Sequence, residues 1–255
     1  MDKPLKRFLC TVMYKGSAYQ GWQVQSEGVT IQGTIQAVLS RMHNREIIIH
    51  GSGRTDAGVH ALGQTFHFES ELDISLDKWI LALNSQLPLD IRIIDCVEVL
   101  KPFHARFDAI GKQYLYLIYK QGLNPFVYDT HYCLNCTLNV DAMRKAMNVF
   151  IGTHDFTSFC SNPLSEMPNQ VRTIHRFDLL EDETEFRFEI EGDGFLRYMV
   201  RMIIAAILDV GKGKLAIKDI NRILLAKNKL IYSGSVDACG LYLAEVYYPE
   251  SFYEE

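Results

Sequence analysis

Apolar residues recur along this chain at two periods, and the switches between them lay out an order of elements. Phe8, Val12 and Tyr14 stand at even spacing within residues 7–14, as a half-buried strand requires. Ile31, Ile35, Val38, Leu39 and Met42 then fall on one helical face, with Thr30 placed as its N-cap. Three consecutive isoleucines within residues 46–50 predict a buried strand, and Phe66 and Phe68 alternate with polar neighbours over residues 64–70. Ser75 is placed to cap a second helix with Leu76, Ile80, Leu83 and Leu87 on its apolar face, and Pro88 helps end it. Residues 91–100 predict another strand. This first part has the β-α-β-β-α-β order of a ferredoxin-like unit.

The second part repeats that order with one added helix. Residues 108–120 predict a long strand with Tyr114, Tyr116 and Ile118 on one face and Leu115, Leu117 and Tyr119 on the other. A helix starts at Asn139 or Asp141, buries Met143, Ala146, Met147, Phe150 and Ile151, and closes at Gly152. Residues 171–181 and 185–191 form a hairpin around Asp182-Glu183-Thr184. Residues 195–210 predict a helix apolar on nearly all sides, with Arg197 and Arg201 as i,i+4 neighbours. An unpaired guanidinium buried there costs several kcal/mol by order of magnitude, so it needs a partner. A short helix over 217–227 and a closing strand over 241–248 complete the order. The expected fold is α+β: two ferredoxin-like halves, 1–105 and 106–255, joined into one large, mostly antiparallel sheet with helices on one face and a central cleft. Residues 101–107 are the junction, and residues 160–170, with two prolines, form a surface loop.

Composition narrows the class. With 255 residues, 48% hydrophobic and 22% charged, the chain has room for two core-bearing halves. The start carries Lys3, Lys6 and Arg7 without an apolar run, so no signal peptide is expected. The most apolar window, 199–210, contains Arg201 and Asp209 and is too short to span a bilayer. Six scattered cysteines imply reduced thiols and a cytoplasmic protein. Cys133 and Cys136 would need two further ligands for zinc, with His131 and Cys160 as the candidates; no metal site is expected. The net charge of −5 gives no bulk attraction for nucleic acid. Local pairs (Arg41 with Arg45, Arg172 with Arg176, Arg197 with Arg201) and Lys212, Lys214 and Lys218 still offer phosphate-binding surface.

Candidate chemistry concentrates in Gly53-Arg54-Thr55-Asp56-Ala57-Gly58-Val59-His60. One carboxylate, Asp56, and one guanidinium, Arg54, sit two positions apart on a glycine-rich loop between two strands. By residue type alone this is equally an ordinary turn with a solvated Asp and Arg. His60 reads as a structural residue. A glycosidase would need two facing carboxylates, and the loop supplies one.

That string resembles the catalytic loop of the A-type tRNA pseudouridine synthases (the TruA family). Residues 14–23 resemble the family's Tyr-Asp-Gly-Ser-x-Tyr-x-Gly-Trp-Gln motif, with Lys15 where an Asp is common. Phe103-His104-Ala105-Arg106-Phe107, the stretch 152–159, the Phe-x-x-x-Met-Val-Arg pattern of 195–201 and Gly240-Leu241-Tyr242-Leu243 resemble further family segments. In the 152–159 stretch His154 and Asp155 are adjacent and read as part of a capped, packed turn rather than an acid–base pair. The resemblance spans Phe8 to Pro249, with its motifs in order. It implies an isomerase that converts uridine to pseudouridine at positions 38, 39 and 40 of the tRNA anticodon stem-loop, without cofactor or metal. It implies Asp56 as the essential carboxylate, Arg201 as the cation paired with it, Tyr114 against the uracil, and Arg54 holding RNA. The implied partners are tRNA and a second copy of the chain, since the family is homodimeric. Two rival readings are a non-catalytic RNA binder on the same scaffold and a nucleoside hydrolase-like enzyme.

Overall fold

A computed structural model describes residues 4–99 and 102–252. Met1 to Lys3 of the predicted leaderless start, Leu100 of the fourth predicted strand and Lys101 of the predicted junction lie outside the described residues. Among the described residues there are ten strands and five α-helices. They form two compact units, Met1–Ile110 with Leu243–Glu255, and Gly111–Tyr242. Among the described residues no helix is long and apolar enough to cross a membrane.

In the first unit, β1 (Lys6–Tyr14) runs antiparallel between β4 (Ile91–Val99) and β3 (His60–Ser70). The short β2 (His50–Gly51) pairs with β3, also antiparallel. Helix α1 (Ile31–His43) begins where Thr30 accepts from the Gly33 N–H, a cap worth about 1 kcal/mol. It ends at Asn44 in the left-handed region. The core is aromatic: Phe8, Phe68 and Trp79 pack with ring centroids 5.2–5.5 Å apart.

Two local expectations fail in this unit. Residues 46–49 form no strand, although Ile47 and Ile49 are buried. Helix α1 takes the backbone bonds that a neighbouring strand would have taken. Ser40 Oγ accepts from the Ile47 N–H at 2.9 Å, Gln36 Oε1 from the Ile49 N–H at 3.3 Å, and Gln32 donates to the Ile49 carbonyl at 3.0 Å. In α2 (Leu76–Asn84), Ser75 makes no side-chain cap, and the buried face is Trp79 and Leu83 while Leu76 is exposed. The largest apolar side chain took the core position, which rotates the helix away from the predicted face.

In the second unit, β9 (Glu185–Gly192) runs antiparallel between β5 (Gly111–Tyr119) and β8 (Val171–Glu181). β6 (Tyr132–Cys133) pairs parallel with β5, and β7 (Gly152–Asp155) pairs antiparallel with β8. The β8–β9 hairpin turns as predicted, with Asp182 Oδ1 accepting from the N–H groups of Thr184 at 2.7 Å and Glu185 at 2.8 Å. Asn139, not Asp141, caps α3 (Val140–Met147), accepting from the Ala142 N–H. The segment at 152–159 is a strand followed by a turn, where a turn alone was expected. Asp155 caps that turn through the Thr157 N–H at 3.0 Å and hydroxyl at 2.6 Å.

Helix α4 (Met199–Gly211) starts four residues later than its apolar pattern predicts, because Tyr198 adopts a left-handed conformation with φ 65°. Arg197 therefore precedes the helix instead of sharing its surface with Arg201. Helix α5 (Ile217–Ala226) and strand β10 (Leu241–Tyr247) follow. The part of β10 from Leu243 onward belongs to the first unit, where the Tyr248 hydroxyl lies 2.5 Å from Thr65 Oγ1 and donates to the Ala105 carbonyl at 2.6 Å.

Candidate active site

The Asp56 loop is held from behind by the aromatic loop that follows β1. Tyr14 OH lies 2.8 Å from Thr55 Oγ1, both buried. Burial pushes the Tyr14 phenol well above its ordinary range, so it meets Thr55 as a neutral partner. The Trp22 N–H donates to the Thr55 carbonyl at 3.1 Å, and the Gly58 N–H to the Tyr19 carbonyl at 3.4 Å. Ser52 Oγ donates to Gln64 Oε1 at 2.7 Å, and Gln64 Nε2 donates to the Gly53 carbonyl at 2.9 Å. Buried Ser52 and Thr55 thus anchor the loop, with their side-chain hydroxyls engaged.

On that framework Asp56 is half-buried. Its carbonyl accepts from the Val59 N–H at 3.1 Å, closing a β-turn whose third residue, Gly58, has φ 78°. Arg54 is exposed, and its Nε donates to Gln23 Oε1 at 3.2 Å. Gln23 in turn donates to Gln32 of α1 at 2.7 Å. His60 is buried and its Nδ1 accepts from the Gly16 N–H at 3.0 Å, which agrees with a structural role for that imidazole.

The second unit presents its own cluster. Tyr114, in β5, is buried and meets the Phe195 ring edge to face at 5.0 Å. Arg201 is half-buried in the first turn of α4. Its Nε donates to the Val236 carbonyl at 2.7 Å, and the Val236 N–H returns a bond to the Arg201 carbonyl at 3.3 Å. The Arg201 guanidinium lies over the Tyr198 ring, 4.5 Å from its centroid. Tyr116 is fully buried, with its hydroxyl donating to the Asp237 carbonyl at 2.9 Å. Desolvation, the largest cause, pushes its phenol far up, so it remains a donor.

The partner that the sequence requires for Arg201 is thus supplied in part by a carbonyl and an aromatic face. Sequence reasoning missed Tyr198, Val236, Asp237 and Gln23, which hold the candidate residues in place. Gln23 stood inside a recognised motif and Tyr198 at an unspecified position of another; Val236 and Asp237 lie in an irregular stretch with no periodicity to read. The zinc candidates are otherwise engaged. His131 Nε2 lies 2.8 Å from Glu185 Oε2, and the Cys160 thiol donates to Gln170 Oε1 at 3.1 Å. The loop at 160–170 is pinned by Lys229, whose Nζ donates to the Cys160 carbonyl at 3.1 Å and to Gln170 Oε1 at 2.9 Å.

A family model described as tRNA pseudouridine synthase matches residues 11–108 and 146–249. The tRNA pseudouridine synthase A of Exiguobacterium sibiricum is 43% identical over 247 residues, covering 97% of this chain and 98% of the relative. The enzyme of the same name from Staphylococcus aureus strain JH1 is 40% identical over 246 residues, covering 96% of this chain and 92% of the relative. Likeness to solved structures is remote: a Cbf5–Nop10–Gar1 complex shares 14% identity at TM-score 0.38, over 92% of this chain and 57% of that one. Identity of this extent over nearly the whole chain, with a family model that matches residues in both units, places the chain in the tRNA pseudouridine synthase family.

Proposed function

We propose that this protein isomerises uridine to pseudouridine at positions 38, 39 and 40 of the tRNA anticodon stem-loop. The reaction breaks the bond from uracil N1 to ribose C1′, turns the base, and joins C5 to C1′. The C5 proton is lost and N1 gains one, so substrate and product have the same mass. Nothing is oxidised or hydrolysed, and the chemistry asks for a positioned carboxylate rather than a redox group.

In this reading Asp56 is the reacting carboxylate and Arg201 the cation beside it. A guanidinium fork keeps such a carboxylate ionised against the cost of leaving water. The Tyr114 face supports the uracil after the nucleotide has swung out of the stem. Arg54 holds the RNA. The same reading takes the two halves, 1–105 and 106–255, as ferredoxin-like; β1-α1-β2-β3-α2-β4 supports it for the first. It takes the protein as a cytoplasmic homodimer, with one tRNA touching both copies.

One observation carries the proposal: the intact Gly53–His60 loop, in a chain 43% identical over nearly its whole length to a tRNA pseudouridine synthase A. The test is to incubate unmodified tRNA with the protein and map pseudouridine across the anticodon arm, for wild type and Asp56→Asn. Pseudouridine at 38–40 from wild type, with bound but unmodified tRNA for Asp56→Asn, is expected. Unmodified uridine from wild type would indicate a binder, and abasic ribose a hydrolase.

A further inference from the structure

We infer that Tyr198 is a positioning residue that fixes the guanidinium of Arg201, an inference that rests, for its catalytic consequence, on the role given to Arg201 above. Tyr198 is one of three non-glycine residues with positive φ among the described residues, at φ 65° and ψ −3°. An L-residue other than Gly, Asn or Asp pays roughly 1–2 kcal/mol there. Asn44 and Lys227, the other two, sit at helix C-termini, where that conformation is common. Tyr198 instead precedes a helix, and its side chain makes no capping hydrogen bond. Tyr198 is the third residue of a turn closed by the Met199 N–H on the Leu196 carbonyl at 3.1 Å, a position that favours Gly or Asn, so a tyrosine held there at a cost in strain points to a function for its side chain.

The ring shows what that function is. It lies 4.5 Å from Arg201 Cζ and 5.6 Å from Arg197 Cζ, within cation–π range of both. Arg201 is gripped at a second point by the Val236 carbonyl, which accepts from Nε at 2.7 Å. The carbonyl is itself fixed. Val236 N–H bonds back to the Arg201 carbonyl, and Tyr116 OH donates to the next residue, Asp237. Beside the bond at Nε, the aromatic face helps set the plane of the guanidinium. Tyr198 also starts the helix that carries Arg201, since its carbonyl accepts from the Met202 N–H at 2.9 Å. The strained residue, the nearer contact of its ring and the first turn of α4 therefore form one seat for the Arg201 guanidinium.

The substitutions separate the ring from the backbone. Tyr198→Gly accepts positive φ without strain and removes the ring; Tyr198→Phe keeps the ring and removes the hydroxyl. Two measurements are made on full-length protein: hydrogen exchange of the Arg201 Nε–H by nitrogen-15 NMR, assigned by its loss in Arg201→Lys, and steady-state kinetics on tRNA. For Tyr198→Gly we expect faster Nε–H exchange, an unchanged or higher melting temperature, KM for tRNA within about twofold, and kcat down roughly tenfold, in line with a lost cation–π contact. Tyr198→Phe should restore both exchange and kcat to within about threefold of wild type. Wild-type exchange and kcat in Tyr198→Gly, or equal losses in Phe and Gly, would overturn the inference. If wild type forms no pseudouridine, the proposed function fails, while the exchange rates still decide whether Tyr198 holds Arg201.

Discussion

A Cβ added to Gly21 would lie 2.5 Å from the Thr55 carbonyl oxygen and 3.0 Å from the Asp56 carbonyl carbon. Gly21 also has φ +83°. The aromatic loop therefore presses its backbone against the Asp56 loop at a point where both space and conformation require glycine. Gly21→Ala should cost about 1–2 kcal/mol through φ alone, with overlap adding to it. The melting temperature should fall by several degrees. Pseudouridine formation should fall further than stability does, because the displaced backbone runs from Thr55 through Asp56. Comparing kcat with melting temperature checks this; an alanine variant with wild-type kcat would show that the aromatic loop does not set the Asp56 loop.

Arg54 is exposed and touches Gln23 at 3.2 Å, so its removal disturbs little of the fold. Arg54→Gln should leave the melting temperature unchanged and weaken tRNA binding by roughly 5–30-fold, the loss expected for one charged contact to RNA. If the contact is to a phosphate, the slope of log affinity against log salt also falls by about one. Filter binding of tRNA at several salt concentrations measures both. Undiminished affinity would remove Arg54 from the RNA surface.

Tyr116 supports the Arg201 seat from beneath, through the Asp237 carbonyl at 2.9 Å. Tyr116→Phe preserves the packing of a fully buried ring and removes only the donor. The partly buried carbonyl left without that bond should cost about 1 kcal/mol or somewhat more. We expect a small drop in melting temperature with a larger proportional drop in kcat, and KM for tRNA unchanged. Loss of stability without loss of kcat would confine Tyr116 to the fold.

What the sequence made legible follows from where the determining forces are local. The helix at Ile31–His43 was readable because Thr30 and the five apolar positions after it agree with one another. The hairpin of β8 and β9 was readable for the same reason. The start of α4 was not, since periodicity carries no sign of a left-handed residue at 198. The isoleucines at 47–49 misled because burial of alternate residues looks like a strand, whether a strand or helix side chains satisfy the backbone. Of the candidate site, Asp56, Arg54, Tyr114 and Arg201 stood in motifs. The residues that seat them, Tyr198 and Val236 above all, act through three-dimensional contacts that no spacing encodes.

The first unit also contains an acid-sensitive group that the proposed reaction does not use. His67, in β3, is buried, and its Nδ1 accepts from the Ala105 N–H at 3.1 Å. The rings of His104 and His50 lie 4.7 and 5.0 Å away, Arg7 adds positive charge, and Glu69 opposes it. Burial first, and then His104, His50 and Arg7, lower its pKa from 6.5 to about 3. A folded-state pKa below the unfolded value means that the unfolded chain binds the extra proton. The stability from neutral His67 is thus complete above about pH 6.5 and is lost as pH falls toward about 3. His67→Gln keeps an acceptor for Ala105 without a titrating group. Its melting temperature should fall less steeply than that of wild type between pH 7 and pH 4, with His104 contributing part of the slope that remains. Thermal melts of both proteins across that range decide the point. Parallel curves would mean that His67 takes up no proton on unfolding there, and that the acid sensitivity of the unit arises from other groups.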